Sequence, residues 1–122
     1  MQIYLLKSKL HQASVTTARP DYSGSLSIDQ NLMEAAGILH HEKILVGNIT
    51  NGERFETYCI PADHGSGEIG LNGAAAHKGK AGDLLVIMTF INLNPEEAAV
   101  WEPRLILVSN SNLNHEIIKS PQ

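Results

Sequence analysis

A single cysteine, Cys59, leaves this 122-residue chain unable to form an internal disulfide. No signal-peptide hydrophobic run follows Met1-Gln2-Ile3-Tyr4, so a reducing cytoplasm is the expected compartment. The longest apolar stretch, Leu84 to Ile91, is far short of the ~20 residues needed to cross a bilayer. Basic residues are also scarce. Nine Lys and Arg against thirteen Asp and Glu give a formal charge of -4, which argues against nucleic acid and anionic membranes as partners. Charged residues of both signs make up only 18%, below the ~25% of ordinary globular chains, so part of the surface is expected to be buried in an oligomer. P-loop and GxSxG motifs are missing, which removes support for P-loop phosphate binding and a hydrolase elbow. Six histidines occur without HExxH or CxxC spacing, and no metal is expected.

What is present reads as one β-rich domain. Residues 2 to 7 and 11 to 17 are expected to be extended, and Ser25 to Ile28 forms a short strand. Asp29 can cap a brief helix carrying Leu32, Met33, Ala35 and Ala36, which Gly37 ends in a left-handed conformation. Lys43 to Ile49 and Glu53 to Ile60 flank Asn51-Gly52, a strong hairpin signal. The nearly unbroken apolar run from Leu84 to Phe90 predicts a strand buried on both faces. Asn94-Pro95-Glu96-Glu97 combines an N-cap, a proline at the first helical position and a glutamate at the third, so a short helix runs to about Trp101. Arg104 to Val108 is the last strand expected, followed by a polar, mobile tail from Asn110.

The segment Asp21-Tyr22-Ser23-Gly24-Ser25-Leu26 contains the most suggestive chemistry. A serine hydroxyl can attack the preceding glycine carbonyl, shift the amide to an ester and, after elimination, leave residue 25 as a pyruvoyl group. Glycine adds no bulk around that carbonyl and tolerates backbone strain. Taken alone, Gly24-Ser25 also fits an ordinary turn before a strand. Asn72-Gly73-Ala74-Ala75-Ala76-His77 is a run of small residues whose backbone N–H groups could approach a carboxylate. Lys9 and Arg54 are cations suited to a dicarboxylic ligand, arginine through its planar fork. Tyr58 could give a proton to a carbanion-like centre. Cys59 reads as a small buried hydrophobe. Strand alternation puts 54, 56, 58 and 60 on one face and 55, 57 and 59 on the other. Thr57 and Tyr58 can therefore share a pocket only through a bulge or a pocket lined from two sides.

Together these pieces resemble one family: Lys9-Leu10-His11, Tyr22-x-Gly24-Ser25, Ile28-Asp29, Ala35-Ala36-Gly37-Ile38-Leu39, Asn51-Gly52-x-Arg54-Phe55-x-Thr57-Tyr58, Asn72 to His77, Gly82-Asp83 and Pro95-Glu96-Glu97-Ala98. The resemblance is to the pyruvoyl-dependent aspartate 1-decarboxylases of bacterial pantothenate synthesis and covers residues 3 to 108. Ser23, Lys78 and the tail depart from the family pattern. The resemblance implies a six-stranded double-psi β-barrel with short flanking helices, assembled as a homotetramer with active sites between subunits. It also implies self-cleavage between Gly24 and Ser25 into chains 1–24 and 25–122, in some members promoted by a maturation protein.

By the same resemblance, Ser25 becomes a covalent pyruvoyl group that forms a Schiff base with L-aspartate, in place of pyridoxal phosphate and without a metal. Thr57 would assist the acyl shift, and Tyr58 would be the proton donor. Lys9, Arg54, Thr57, Asn72, Gly73, Ala74 and Ala75 would bind substrate, with Arg54 expected to hold the carboxylate that is retained. Two other readings rest on the same residues. One is a pyruvoyl decarboxylase of another amino acid, and the other is a non-catalytic β-barrel binding module that is never cut.

Overall fold

The structure, a computed structural model, describes residues 1–118. Its strands are β1 (Ile3–Ser14), β2 (Thr17–Arg19), β3 (Ser25–Asp29), β4 (Lys43–Asn48), β5 (Arg54–Ala62), β6 (Ile69–Asn72), β7 (Leu84–Leu93), β8 (Arg104–Ser109) and β9 (Asn114–Ile118). Two short helices, α1 (Gln30–Ala36) and α2 (Pro95–Ala99), and a 3-10 helix over Gly73–Lys78 join them. The strands form one sheet in the order β2-β6-β3-β5-β4-β7-β1-β8-β9. Because β1 runs into β2 through only Val15 and Thr16, the sheet must curl until its two sides approach each other. The result is the expected mainly β barrel with short helices. Leu10, Leu26, Ile28, Val46, Ile69, Leu71, Leu85, Ile87 and Ile106 fill its interior. Among the described residues no helix is long and apolar enough to cross a membrane.

Local chemistry explains most of the elements. The Asp29 carboxylate accepts from the Asn31 N–H at 2.9 Å to start α1, and Gly37 ends that helix at φ +71°. Asn94 and Glu97 form a reciprocal capping box at α2, with Pro95 at the first turn. Between β4 and β5, Asn48 Oδ1 accepts from the Thr50 and Asn51 N–H groups while Gly52 adopts φ +82°. The Asn51-Gly52 signal thus marks a real hairpin.

Four expectations are corrected. Residues 2–7 and 11–17 do not form two separate strands: β1 is continuous and absorbs bulges between Leu6 and Ser8 and between His11 and Ala13. Gln12 takes a left-handed φ of +66° at the second of these, so the long strand bends around the barrel. The run in β7 is buried on one face only. Leu85, Ile87 and Thr89 point inward, whereas Leu84 and Phe90 are 38% and 44% exposed. Alternation of a half-buried strand, and not burial on both sides, describes it. Residues Ile69–Asn72 form a strand not expected from the sequence, pairing with both β2 and β3.

Finally, the segment from Asn110 is ordered through Ile118. Asn110, Ser111 and Asn112 all take positive φ, which turns the chain back so that β9 pairs antiparallel with β8. Asn112 is buried and its amide binds Ser14 O at 2.7 Å and Gly67 O at 2.9 Å, which ties the turn to the barrel. The last part of the expected tail, 119–122, lies outside the described residues.

Candidate active site

Ser25 opens β3 and is 2% exposed, although Tyr22, Ser23 and Gly24 just before it lie at the surface. Its hydroxyl accepts from Asn72 Nδ2 at 3.0 Å and donates to the Ser23 carbonyl at 3.3 Å. The same Asn72 amide nitrogen donates to Ser27 Oγ at 2.9 Å. Both bonds follow from the antiparallel pairing of β3 with β6, which sets Ser25 opposite Asn72. Asn72 Oδ1 is buried and has no hydrogen-bond partner among the described residues. An unpaired acceptor in such a place costs stability unless a further donor arrives.

Glycine proves decisive at a position other than the one anticipated. Gly24 has an ordinary φ, and a Cβ built on it would meet nothing within 4 Å, so no backbone strain is stored there. Gly73 carries the constraint instead. It adopts φ +64°, and a Cβ there would lie 2.6 Å from Gly24 Cα, 2.7 Å from Gly24 N and 2.8 Å from Tyr22 O. The 22–24 segment therefore packs directly on the backbone of the small-residue run.

Continuing the parallel register of β3 and β5 back from the Leu26–Cys59 pair sets Ser25 level with Tyr58 and Gly24 level with Thr57. Thr57 faces a cavity of about 160 Å³ bounded also by Gly24, Phe55, Glu56, Ala74, Ala75 and Lys78. Tyr58 points to the opposite side, 37% exposed, with its ring 5.8 Å from that of His41. The pairing of β5 with β4 runs from Tyr58 to Arg54 without a register shift, so no bulge rotates the two side chains together. Of the two arrangements the alternation allowed, only lining from two sides is left.

The two cations expected at the site lie elsewhere in the chain. Lys9 pairs with Met88, Met88 with Leu45, and Leu45 with Glu56, so these four share the outer face of the sheet. Arg54 and Tyr58, two residues either side of Glu56, lie on that face too. Lys9 is three strands from Glu56, roughly 14 Å at ordinary strand spacing, and Arg54 is roughly 13 Å along the strand from Tyr58. Arg54 borders a separate shallow hollow with Gly47, Gly52 and Val86. Ser25, Gly24, Thr57, Asn72, Gly73, Ala74 and Ala75 are thus gathered by one chain, whereas Lys9 and Arg54 are not.

Lys78 and Phe55 also border the cavity, and neither stands out in the sequence as a site residue. The signal for Lys78 is slight: it is the charged residue that follows a run of small ones. Cys59 is buried, and its Sγ donates to the Leu39 carbonyl at 3.2 Å. Burial pushes its thiol up to about 11, with the Glu42 carboxylate adding to the shift, so it is no nucleophile at neutral pH. Among the described residues no group of three or more His, Cys, Asp and Glu is placed to hold a metal.

Residues 1–115 match the family model described as aspartate decarboxylase. An aspartate 1-decarboxylase of Bordetella avium (strain 197N) is 47% identical over 121 residues, covering 99% of both chains. One from Ralstonia pickettii (strain 12J) is 49% identical over 112 residues, or 92% of this chain and 93% of that one. Another from Campylobacter jejuni (serotype O:6, strain 81116) is 51% identical over 112 residues, covering 92% and 88%. The gathering of Gly24, Ser25, Thr57 and Asn72 is thus found in a chain that belongs to the aspartate decarboxylase family.

Proposed function

We propose that this protein decarboxylates L-aspartate to β-alanine and carbon dioxide, the step that supplies pantothenate and coenzyme A synthesis, using a pyruvoyl group made from its own Ser25. The observation that carries the proposal is the buried Ser25 hydroxyl, held by Asn72 Nδ2 beside Gly24, in a chain of this family. The surroundings fit such a group. Among the described residues Asn72 Oδ1 is an acceptor without a partner, the Cβ side of Gly24 is open, and the small side chains of Ala74 and Ala75 leave room beside Thr57. A ketone at residue 25, conjugated to the next amide carbonyl, supplies an electron sink for loss of a carboxylate from an α-amino acid.

The chain's own residues supply the rest. In self-cleavage, Asn72 orients Ser25 Oγ, and Thr57, which borders the same cavity as Gly24, assists at the Gly24 carbonyl where negative charge develops. In turnover, Tyr58 Oη is the proton donor to the former α-carbon of the substrate. Lys9 Nζ and the Arg54 guanidinium neutralise the two substrate carboxylates, and the Gly73-Ala74-Ala75 backbone orients them. Arg54 holds the retained carboxylate, because an ion pair on the departing one would stabilise the ground state.

The same geometry supports an assembly of several copies. Lys9, Arg54 and Tyr58 share an outer face with Tyr4, 76% exposed, and Phe90. A homotetramer in which neighbouring copies cover this face would bring cations to each Ser25 and explain the two-sided lining. We place the enzyme in the cytoplasm, without a metal or pyridoxal phosphate.

The test is the denatured mass of purified protein, followed by assay of carbon dioxide release from aspartate and other amino acids. Two fragments, 1–24 and 25–122, are expected, the second lighter by one ammonia than a serine-terminated chain. A mass that stays full-length after warming and after addition of a maturation protein would refute the pyruvoyl reading. So would appreciable decarboxylation by Ser25→Ala.

A further inference from the structure

Self-cleavage, on which this inference rests, creates a charge that the uncut chain lacks. Attack by Ser25 Oγ on the Gly24 carbonyl carbon forms a C–O bond and breaks the amide C–N bond, the hydroxyl proton passing to nitrogen. Removal of the Ser25 α-proton then breaks Cβ–Oγ, and the electron pair leaves with oxygen as a carboxylate on Gly24. The unsaturated residue 25 takes up one water and releases one ammonia to become the ketone. Each cut therefore leaves a new anion at the end of the 1–24 fragment.

We propose that Lys78 is the binding partner of that Gly24 carboxylate, and that it holds the new chain end against the wall of the barrel. Gly24 and Lys78 bound the same cavity of about 160 Å³, and among the described residues Lys78 is the one cation around it. Glu56, the acid at its rim, lies 3.7 Å from Lys43 and is directed to the outer face. Arg19, the nearest cation in sequence, is not among the residues that line the cavity; it pairs with Glu68 at 3.9 Å and lies 5.1 Å over the Tyr22 ring.

The lysine is both anchored and exchangeable. Its carbonyl accepts from Asn48 Nδ2 at 3.1 Å and Asn51 Nδ2 at 3.0 Å, which fixes the backbone from which the side chain extends. Its ammonium meets Glu53 Oε1 at 3.2 Å in a pair whose side chains are 43% and 49% exposed. Such a pair is weak and readily traded for a carboxylate in a narrower, less hydrated space. Gly24 has nothing within 4 Å of its Cβ position, so the cut end has room to turn toward the cavity.

Carboxypeptidase digestion of the fully cleaved protein, followed by the mass of the 1–24 fragment, tests this. Lys78→Met should be trimmed about five-fold faster than wild type, the most that a half-exposed ion pair supplies, and Lys78→Arg should restore protection. Equal trimming of all three proteins would overturn the proposal. Should Lys78→Met remain uncut, Glu53→Gln decides: freeing the ammonium should slow trimming, and an unchanged or faster rate would overturn it. A wild-type protein that is never cut fails already at the intact mass, which separates failure of the self-cleavage reading from failure of Lys78 to bind.

Discussion

Replacing Gly73 with alanine should leave the barrel folded and stall the cut after Gly24. The new Cβ would stand 2.6 Å from Gly24 Cα and 2.7 Å from its nitrogen, where ordinary contacts begin at 3.4 Å, so Gly24 must withdraw by about 0.8 Å. Both obstacles are backbone atoms and cannot rotate aside. The residue must also keep φ +64°, which costs an alanine ~1–2 kcal/mol. With the displacement, the total is roughly 2–3 kcal/mol, within the ~5–15 kcal/mol that stabilises a domain. Rate suffers more than stability, because a ~1 Å misplacement of reacting groups costs about a hundred-fold. Intact mass followed over time after purification measures the cut, and a thermal melt measures the fold. Cleavage of Gly73→Ala at the wild-type rate, with the melt unchanged, would refute the claim that Gly73 sets the position of Gly24.

Three further outcomes are expected. Asn72→Ala strips Ser25 and Ser27 of their shared buried donor, so a loss of ~1–3 kcal/mol in denaturant unfolding should accompany slowed cleavage. Cys59 should resist a thiol reagent at pH 8 in the native protein and react fully in denaturant, since burial holds its thiol near 11; rapid native reaction would contradict this. Asp83 is held below the usual carboxylate range by the Asn48 side-chain amide and the Lys80 N–H. Its folded pKa is lower than its unfolded one, so it stabilises the fold above about pH 4, and that contribution disappears as pH falls through the folded value. Denaturation midpoints from pH 7 down to pH 3 should therefore fall less steeply for Asp83→Asn than for wild type.

Elements whose cause is local are legible in the order of the residues. Asp29 and Gly37 delimit α1, Asn94 and Glu97 cap α2, and Asn51-Gly52 turns β4 into β5, because each acts through hydrogen bonds or φ values within a few residues. Elements whose cause is a distant partner are not. Ile69-Gly70-Leu71-Asn72 is too short to display a period, and it becomes β6 because β2 and β3 lie on either side of it. The polar Asn114–Ile118 segment becomes a strand because the edge of β8 offers it a ladder. For β7 the apolar composition is plain from the residues, but which face is covered depends on neighbours.

The candidate site divides along the same line. By itself, the sequence determined the chemistry: a hydroxyl after glycine, a threonine and tyrosine on successive strand positions, a small-residue run and two cations are covalent facts, and their joint pattern points to one family. Strand pleating even required that Thr57 and Tyr58 diverge. Tertiary structure alone decided which of these groups meet. It set Asn72 against Ser25, packed Gly73 directly on the backbone of Gly24, and brought Lys78 to the cavity beside Gly24 while leaving Lys9 and Arg54 on the outer face. The reason is that pleating and capping depend on neighbours within a few residues, whereas contact between positions 24 and 73 depends on how β2, β6 and β3 pair across the barrel.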